Sequence, residues 1–249
     1  MAMRTVSLLF HDVYADSPGE SGFVSSAADR YKLPARDFED QLEGLANAGT
    51  SANPFLITVD DGGVSYHTMI ADRLEARGWT GHCFVSTDCI GRPGFLDIAQ
   101  IRDLDARGHV IGSHSASHPS RFSACTEEQM RDEWSLSRRV LEDLLGHAVT
   151  VASVPGGYYS RRVAATAREA GLRTLFTSEP TTDVHDKHGM LVIGRFTLRR
   201  GHPGDRAARL VSPAPWTRLG MWTNWNAKAV IKPVLGQSYA HVADWILAR

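Results

Sequence analysis

Ile57-Thr58-Val59-Asp60-Asp61-Gly62-Gly63 is the stretch on which the reading of this chain turns. A β-branched apolar run predicts a strand, and two carboxylates followed by two glycines predict a tight turn at its end. Adjacent carboxylates repel, so some group must hold both at the strand end, and a divalent cation would do so. Partners for such a cation lie further on, in His114-Ser115-Ala116-Ser117-His118-Pro119. Two histidines at i and i+4 would share one side of a helical turn, with Cβ atoms roughly 5–6 Å apart. Two histidines and one carboxylate leave a position open for water, as in catalytic zinc sites. One Asp can then hold metal while the other handles protons. An acidic turn and two unrelated surface histidines would account for either half alone. Each half ends an apolar run, however, and together they point to a metal site.

Outward from this stretch, strand and helix patterns alternate. Strands are predicted over residues 5–10, 55–59, 80–85, 110–112, 149–154, 174–177 and 191–194. A helix begins at Pro34, carries Phe38, Leu42 and Leu45 at helical spacing, and is closed by Gly49. Met69 and Leu74, with a stop at Gly78, outline a second, and Ile98, Ile101 and Leu104 stripe a third that ends at Gly108. Thr126 and Gln129 form a capping box that opens a helix running through Met130, Leu141 and Leu145 to Gly146. Residues 161–170 form a further helix ended by Gly171, whereas residues 13–32 are polar and read as a long loop. This alternation predicts a parallel sheet with helices outside. Seven strands without a dinucleotide glycine fingerprint favour a closed α/β barrel over an open doubly wound sheet. Catalytic residues of such barrels sit at the C-terminal strand ends. His11, Asp12, Asp60, Asp61, His114, Pro155 and Gly156 all fall there.

The chain has 249 residues, 43% hydrophobic and 22% charged, which suits one globular domain over 1–249. A formal net charge of -1 gives no electrostatic case for nucleic acid or an anionic membrane. Three cysteines (Cys83, Cys89, Cys125) show neither a pairing pattern nor metal-type spacing, which suggests a reducing compartment. The N-terminal Thr5-Val6-Ser7-Leu8-Leu9-Phe10 is too short for a signal h-region, and no apolar run reaches the length of a membrane span. The expected location is the cytoplasm, which points to a biosynthetic precursor as substrate. The sequence sets no oligomeric state.

Ile57–Gly62 resembles the T-F-D-D-G motif of the polysaccharide deacetylases, also called the NodB-homology or carbohydrate esterase 4 family. His114–Pro119 is similar to the family's H-S/T-x-x-H-P motif. Residues 78–85 resemble its third strand, and Val154-Pro155-Gly156-Gly157 is a weakened form of its third motif. The likeness spans residues 5–200 and implies a distorted (β/α)7-type barrel. It further implies Asp61, His114 and His118 as metal ligands, Asp60 as general base, and the backbone N–H of Gly156 as an oxyanion donor. Zn2+, or another divalent transition metal such as Co2+ or Ni2+, would lower the pKa of water towards about 7 and polarise the carbonyl. The implied reaction removes an N-acetyl group from a sugar, in a surface-polysaccharide or O-antigen precursor, with lipid linkage one option. A deformylase, a cyclic-imide hydrolase and a non-catalytic carbohydrate-binding relative are the alternatives on the same fold. Retention of both aspartates with both histidines speaks against the last.

Two positions depart from the family pattern. Its third motif carries an Arg that orients the base, where this chain has Ser153, and Arg195 is the candidate replacement. Its general acid is a His in a late Leu-x-His motif that this chain lacks. His11 on geometry, then His202 on its late position in Leu198-Arg199-Arg200-Gly201-His202-Pro203, are the candidate acids. His82, His109, His147, His185 and His188 read as surface or loop residues, and Cys83 and Cys125 as packing. No G-x-S-x-G elbow supports a serine hydrolase around Ser113, Ser115 and Ser117. Residues 203–249 form a C-terminal extension in which Trp216, Trp222, Trp225 and Trp245 lie among Arg218, Lys228, Lys232 and Arg249. A helical layer packed on the barrel is the plain expectation, and an amphipathic edge that touches lipid is the sharper one.

Overall fold

The computed structural model describes residues 3–48, 55–187 and 189–235. Its strands are β1 (Val6–Phe10), β2 (Val13–Tyr14), β3 (Leu33–Pro34), β4 (Phe55–Val59), β5 (His82–Val85), β6 (Val110–Ser113), β7 (Val151–Ser153), β8 (Thr174–Phe176), β9 (Val184–Asp186), β10 (Leu191–Ile193) and β11 (Phe196–Thr197). Its helices are α1 (Ser26–Asp29), α2 (Ala35–Asn47), α3 (Ala71–Glu75), α4 (Ile98–Ala106), α5 (Glu127–Leu145), α6 (Arg161–Glu169), α7 (Arg206–Val211) and α8 (Trp216–Leu235).

One curled sheet runs β11-β1-β4-β5-β6-β7-β8-β10-β9. Every pairing in it is parallel except β10 with β9. Among the described residues no ladder joins β9 to β11. The chain ahead of β1 bridges that side instead. Thr5 N–H donates to the Thr182 carbonyl (2.9 Å), Val184 N–H donates to the Met3 carbonyl (3.0 Å), and Arg4 pairs with Asp183 at 2.9 Å. The result is a distorted barrel with its helices outside and two further C-terminal helices.

Alternation along β5 sorts the two sides of the barrel wall. Cys83 and Val85 join the outer layer, packed with Ile101 and Leu104 of α4. Phe84 turns inward to Phe176 and Ile193, and its ring centroid lies 5.2 Å from that of Phe176. On β6, a Cβ at Gly112 would come within 2.6 Å of the Phe84 ring, so the missing side chain makes room for this interior aromatic. A second outer layer packs Met130 and Trp134 of α5 with Val163, Ala164 and Ala167 of α6 over β7 and β8.

Helix ends follow local chemistry. Thr126 and Gln129 close a reciprocal capping box at α5, whose far end stops at left-handed Gly146 (φ 77°). Gly49, the expected end of α2, lies outside the described residues, as does His188. Several expectations need correction. Ile98 is 50% exposed, because the first residue of α4 precedes its buried stripe. Residues 13–32 are not a plain loop but carry β2, a capped turn at Pro18–Glu20 and α1. The second helix opens with a wide π turn at Tyr66–Ile70 before α3. β2, β3, β9 and β11 are two or three residues each, too short to show a period in sequence. His109 is buried, with Tyr66 and Glu75 both within 2.9 Å of its ring nitrogens, so it is not a surface residue.

Candidate active site

β4 ends at Val59, and the next two side chains turn in different directions. Asp60 turns inward, its N–H donating to the Phe10 carbonyl across to β1 (3.2 Å). Its carboxylate meets Arg195, which follows β10. The guanidinium donates from both terminal nitrogens to both Asp60 oxygens, at 2.7 and 2.8 Å. Arg195 is fully buried and lies 5.7 and 5.9 Å from the Phe84 and Phe176 rings. Its remaining donors reach the Thr177 carbonyl (3.0 Å), Thr58 Oγ1 (3.2 Å) and Ser153 Oγ (2.7 Å). Ser153 in turn donates to Asp60 (3.0 Å). Burial pushes the Asp60 pKa up, but the Arg195 charge and hydrogen bonds together with the charges of His114 and His11 outweigh it and hold the group below its usual value.

Asp61 turns the other way, in a left-handed conformation (φ 79°). Its Oδ1 lies 3.4 Å from the Nε2 atoms of both His114 and His118. His114 follows β6 and donates from Nδ1 to the Ser153 carbonyl (3.0 Å), which turns Nε2 towards Asp61. His118 packs its ring 5.0 Å from His114 and 4.8 Å from Phe23. The three ligand-type atoms lie within 4.8 Å of one another. Donors of a tetrahedral metal at about 2.0–2.2 Å would stand roughly 3.3 Å apart, so this N2O set fits a zinc-like ion. Burial pushes the Asp61 carboxyl up, but a hydrogen bond from His114 and the charges of His11, His114 and His118 hold it well below the usual range. Burial lowers His114, yet Asp60 and Asp61 together raise it above its usual value, while burial and the His114 charge lower His118.

The two histidines do not share a helical turn. Ser115 (φ 64°) and His118 (φ 54°) break any helix, and the segment is an irregular loop held by its surroundings. With Asp61, these are the non-glycine residues of positive φ among the described residues. Such conformations cost of order 1–3 kcal/mol each and concentrate at functional sites.

A buried carboxylate supports the turn from below. Asp12 Oδ1 accepts from Ser21 Oγ (2.5 Å) and Ser65 Oγ (2.8 Å). A Cβ at Gly63 would stand 1.8 Å from that oxygen, which explains the second glycine of the motif. Burial pushes the Asp12 pKa up. Gly156, after β7, has φ 71°, and a Cβ built there would meet only the Ser120 carbonyl, at 3.9 Å. Its backbone is therefore open towards the loop that carries His118.

His11 follows β1 directly, stacks 4.9 Å from Tyr31 and lies close enough to Asp60 and Asp61 to lower both. His202 lies elsewhere, beside Arg199 and Arg206. Burial and those two cations depress it to about 4, and no described contact joins it to the aspartates. The third position of a Leu-x-His pattern is occupied by Arg200, whose guanidinium lies 5.4 Å from the Tyr14 ring. Sequence reasoning missed Ser153 as a bridge between Asp60, Arg195 and His114. Its place directly before Val154-Pro155 at a strand end was the available signal.

In the C-terminal extension, α7 packs on α2. Gln41 of α2 donates to the Pro203 carbonyl (2.7 Å) and accepts from Ala207 N–H (2.8 Å). On α8, Trp225 stacks 5.3 Å from Tyr158, two residues beyond Gly156, while Trp216 and Trp222 are exposed. Trp245 and Arg249 lie outside the described residues. No described helix is long and apolar enough to cross a membrane.

A curled, mostly parallel barrel with an Asp-Asp pair and two histidines at its mouth defines the class, an α/β fold with a candidate metal site. Within it, the polysaccharide deacetylase family matches residues 47–175, just over half of the chain, and the chain belongs to that family. It is 23% identical over 198 residues to YxkH of Bacillus subtilis, covering 72% of this chain and 70% of YxkH. Peptidoglycan-N-acetylmuramic acid deacetylase PdaA of the same organism is 24% identical over 169 residues, 66% of this chain and 62% of PdaA. The chain thus spans less than two thirds of PdaA. Among solved structures, Streptococcus pyogenes deacetylase PplD in complex with acetate is similar in fold, with a TM-score of 0.71 and 15% identity over 86% of this chain and 100% of that one.

Proposed function

We propose that this protein is a metal-dependent N-deacetylase of an N-acetylated sugar, acting on a precursor of a surface polysaccharide or O-antigen in the cytoplasm. The observation that carries the reading is the division of labour between adjacent carboxylates. Asp61 places one oxygen 3.4 Å from two histidine nitrogens, while Asp60 is held by a two-pronged Arg195 contact and stands 3.9 Å from His114 alone. A divalent metal such as Zn2+, held by Asp61, His114 and His118, would supply an activated water and polarise the acyl carbonyl. Asp60, kept ionised by Arg195, accepts the proton from that water. The N–H of Gly156 donates to the developing oxyanion, where the missing side chain lets the acyl group approach. His11, at the mouth and close to both aspartates, delivers a proton to the departing amine. His202 is remote in charge and contact and does not serve.

Family membership and the ligand-like spacing support this reading. PdaA, which acts on peptidoglycan N-acetylmuramic acid by its name, is one relative on which the substrate class rests. The test is metal analysis of purified protein followed by an acetate- and formate-release screen on N-acylated sugars. Acetate release together with one bound metal supports the proposal. Formate without acetate would make it a deformylase, and release of neither would end the N-deacylase reading.

A further inference from the structure

We infer that Glu133 on α5 is a positioning residue that sets the metal affinity of the site without touching the metal. The inference rests on the reading of Asp61, His114 and His118 as the ligands. The loop from His114 to His118 contains no regular secondary structure, so each of its N–H groups needs a partner from elsewhere. His114 N–H donates to the Val85 carbonyl (2.9 Å), Ser115 N–H to Ser113 Oγ (3.1 Å), and His118 N–H to Ser115 Oγ (3.1 Å). The remaining two N–H groups of the loop, those of Ala116 and Ser117, both donate to one oxygen of Glu133, at 2.9 and 2.8 Å. The other Glu133 oxygen accepts from Ser117 Oγ. One carboxylate therefore holds the middle of the loop at three points.

The same helix grips the loop's start one turn later. Ser137, at i+4 from Glu133, lies 2.8 Å from Ser113 Oγ, the atom that accepts the Ser115 N–H. With left-handed residues at Ser115 and His118, the loop has no intrinsic reason to keep its shape. The Ser115 and Ala116 carbonyls accept from the Thr87 and Asp88 N–H groups at 3.3 and 2.9 Å, and Glu133 holds the N–H side of the segment between the imidazoles. An amide here could keep the pattern, its oxygen accepting both N–H groups and its NH2 donating to the Ser117 hydroxyl, whereas an alanine removes all three contacts. Outer partners that fix metal ligands typically alter affinity by about 10–100-fold when removed.

The experiment measures Zn2+ and Co2+ affinity of the metal-free protein by competition with a chelating indicator. It compares the native chain with Glu133→Ala, Glu133→Gln and, as a control on the same helix, exposed Glu128→Ala. Glu133→Ala is expected to raise the dissociation constant about 10–100-fold. It should also shift the visible absorption bands of the Co2+ form and leave the unfolding midpoint of the metal-free protein close to native. Glu133→Gln is expected to restore most of the affinity, and Glu128→Ala to match native. Native-like affinity and Co2+ spectrum in Glu133→Ala would overturn the inference. Loss of the fold in Glu133→Ala without metal would overturn it too, because the residue would then be holding the domain and not the loop. If the native chain itself binds neither ion, the metal reading fails first, and that result is distinct from a native-like variant.

Discussion

Replacing Arg195 by Met removes the cation from a pair with no solvent to replace it. Arg195 is fully buried and Asp60 nearly so, so the variant leaves a buried carboxylate with only Ser153 and the more distant histidines. Removing one partner of a buried ion pair costs about 3–5 kcal/mol. For a chain of this length each kcal/mol moves the melting temperature by about 2–4 °C, so a loss of roughly 6–20 °C is expected. The pH dependence follows from the sign of the shift. Asp60 in the native protein titrates below its usual value, so its stabilising share is present above the unfolded value, about 3.9, and fades as pH falls through the folded one. In Arg195→Met, burial dominates and the Asp60 pKa rises. Stability then declines as pH rises from the unfolded value to the new folded one, and the gap to native widens from acid to neutral pH. Because Asp60 must be ionised to accept a proton, the acid limb of kcat/KM should move to higher pH. Arg195→Lys should recover part of the stability, since an ammonium keeps the charge but cannot fork across both oxygens. Calorimetry at several pH values and a kcat/KM profile read both effects. A melting temperature within about 2 °C of native with an unmoved acid limb would refute the reasoning.

Asp60→Asn should keep the metal, because Asp60 is anchored on Arg195 at 2.7 and 2.8 Å and lies 3.9 Å from His114 alone, while turnover falls about 10²–10⁴-fold. Metal loss in that variant, by elemental analysis, would reverse the roles of the two aspartates. His11→Ala should depress kcat about 10²–10⁴-fold with metal retained, whereas His202→Ala should leave kcat intact. Native turnover in His11→Ala would exclude it as the acid. Gly63→Ala forces a methyl into the space of Asp12 Oδ1, and overpacking of this kind costs about 1–3 kcal/mol. A melting curve should show that loss, and adding Asp12→Ala should recover part of it; no recovery would place the strain elsewhere.

The parts of the chain legible in sequence are those whose chemistry is local. β4 and its Asp-Asp-Gly-Gly turn were readable because a strand pattern, a charge conflict and two glycines coincide. The start of α5 was readable because a capping box is a fixed four-residue unit. What stayed hidden depends on distant partners. The His114–His118 spacing suggested a helical turn, yet the loop is shaped by Glu133 and Ser137, which belong to a helix the spacing does not mention. Arg195 could be named only as a candidate, since its contact with Asp60 spans 135 positions and is made by barrel closure. His202 drew attention by lying late in the chain, and the structure places it against arginines. β9 and β11 carry too few residues to leave a period, although β11 is what seats the late loop beside β1.

The most direct test of the account is acetate release from N-acetylated sugars by metal-stripped protein, titrated with Zn2+ or Co2+, for the native chain and for His118→Ala. Native activity should vanish on stripping and return with an end point at one metal per chain, and His118→Ala should show neither tight binding nor recovery. Undiminished acetate release from stripped protein, or full recovery in His118→Ala, would contradict it.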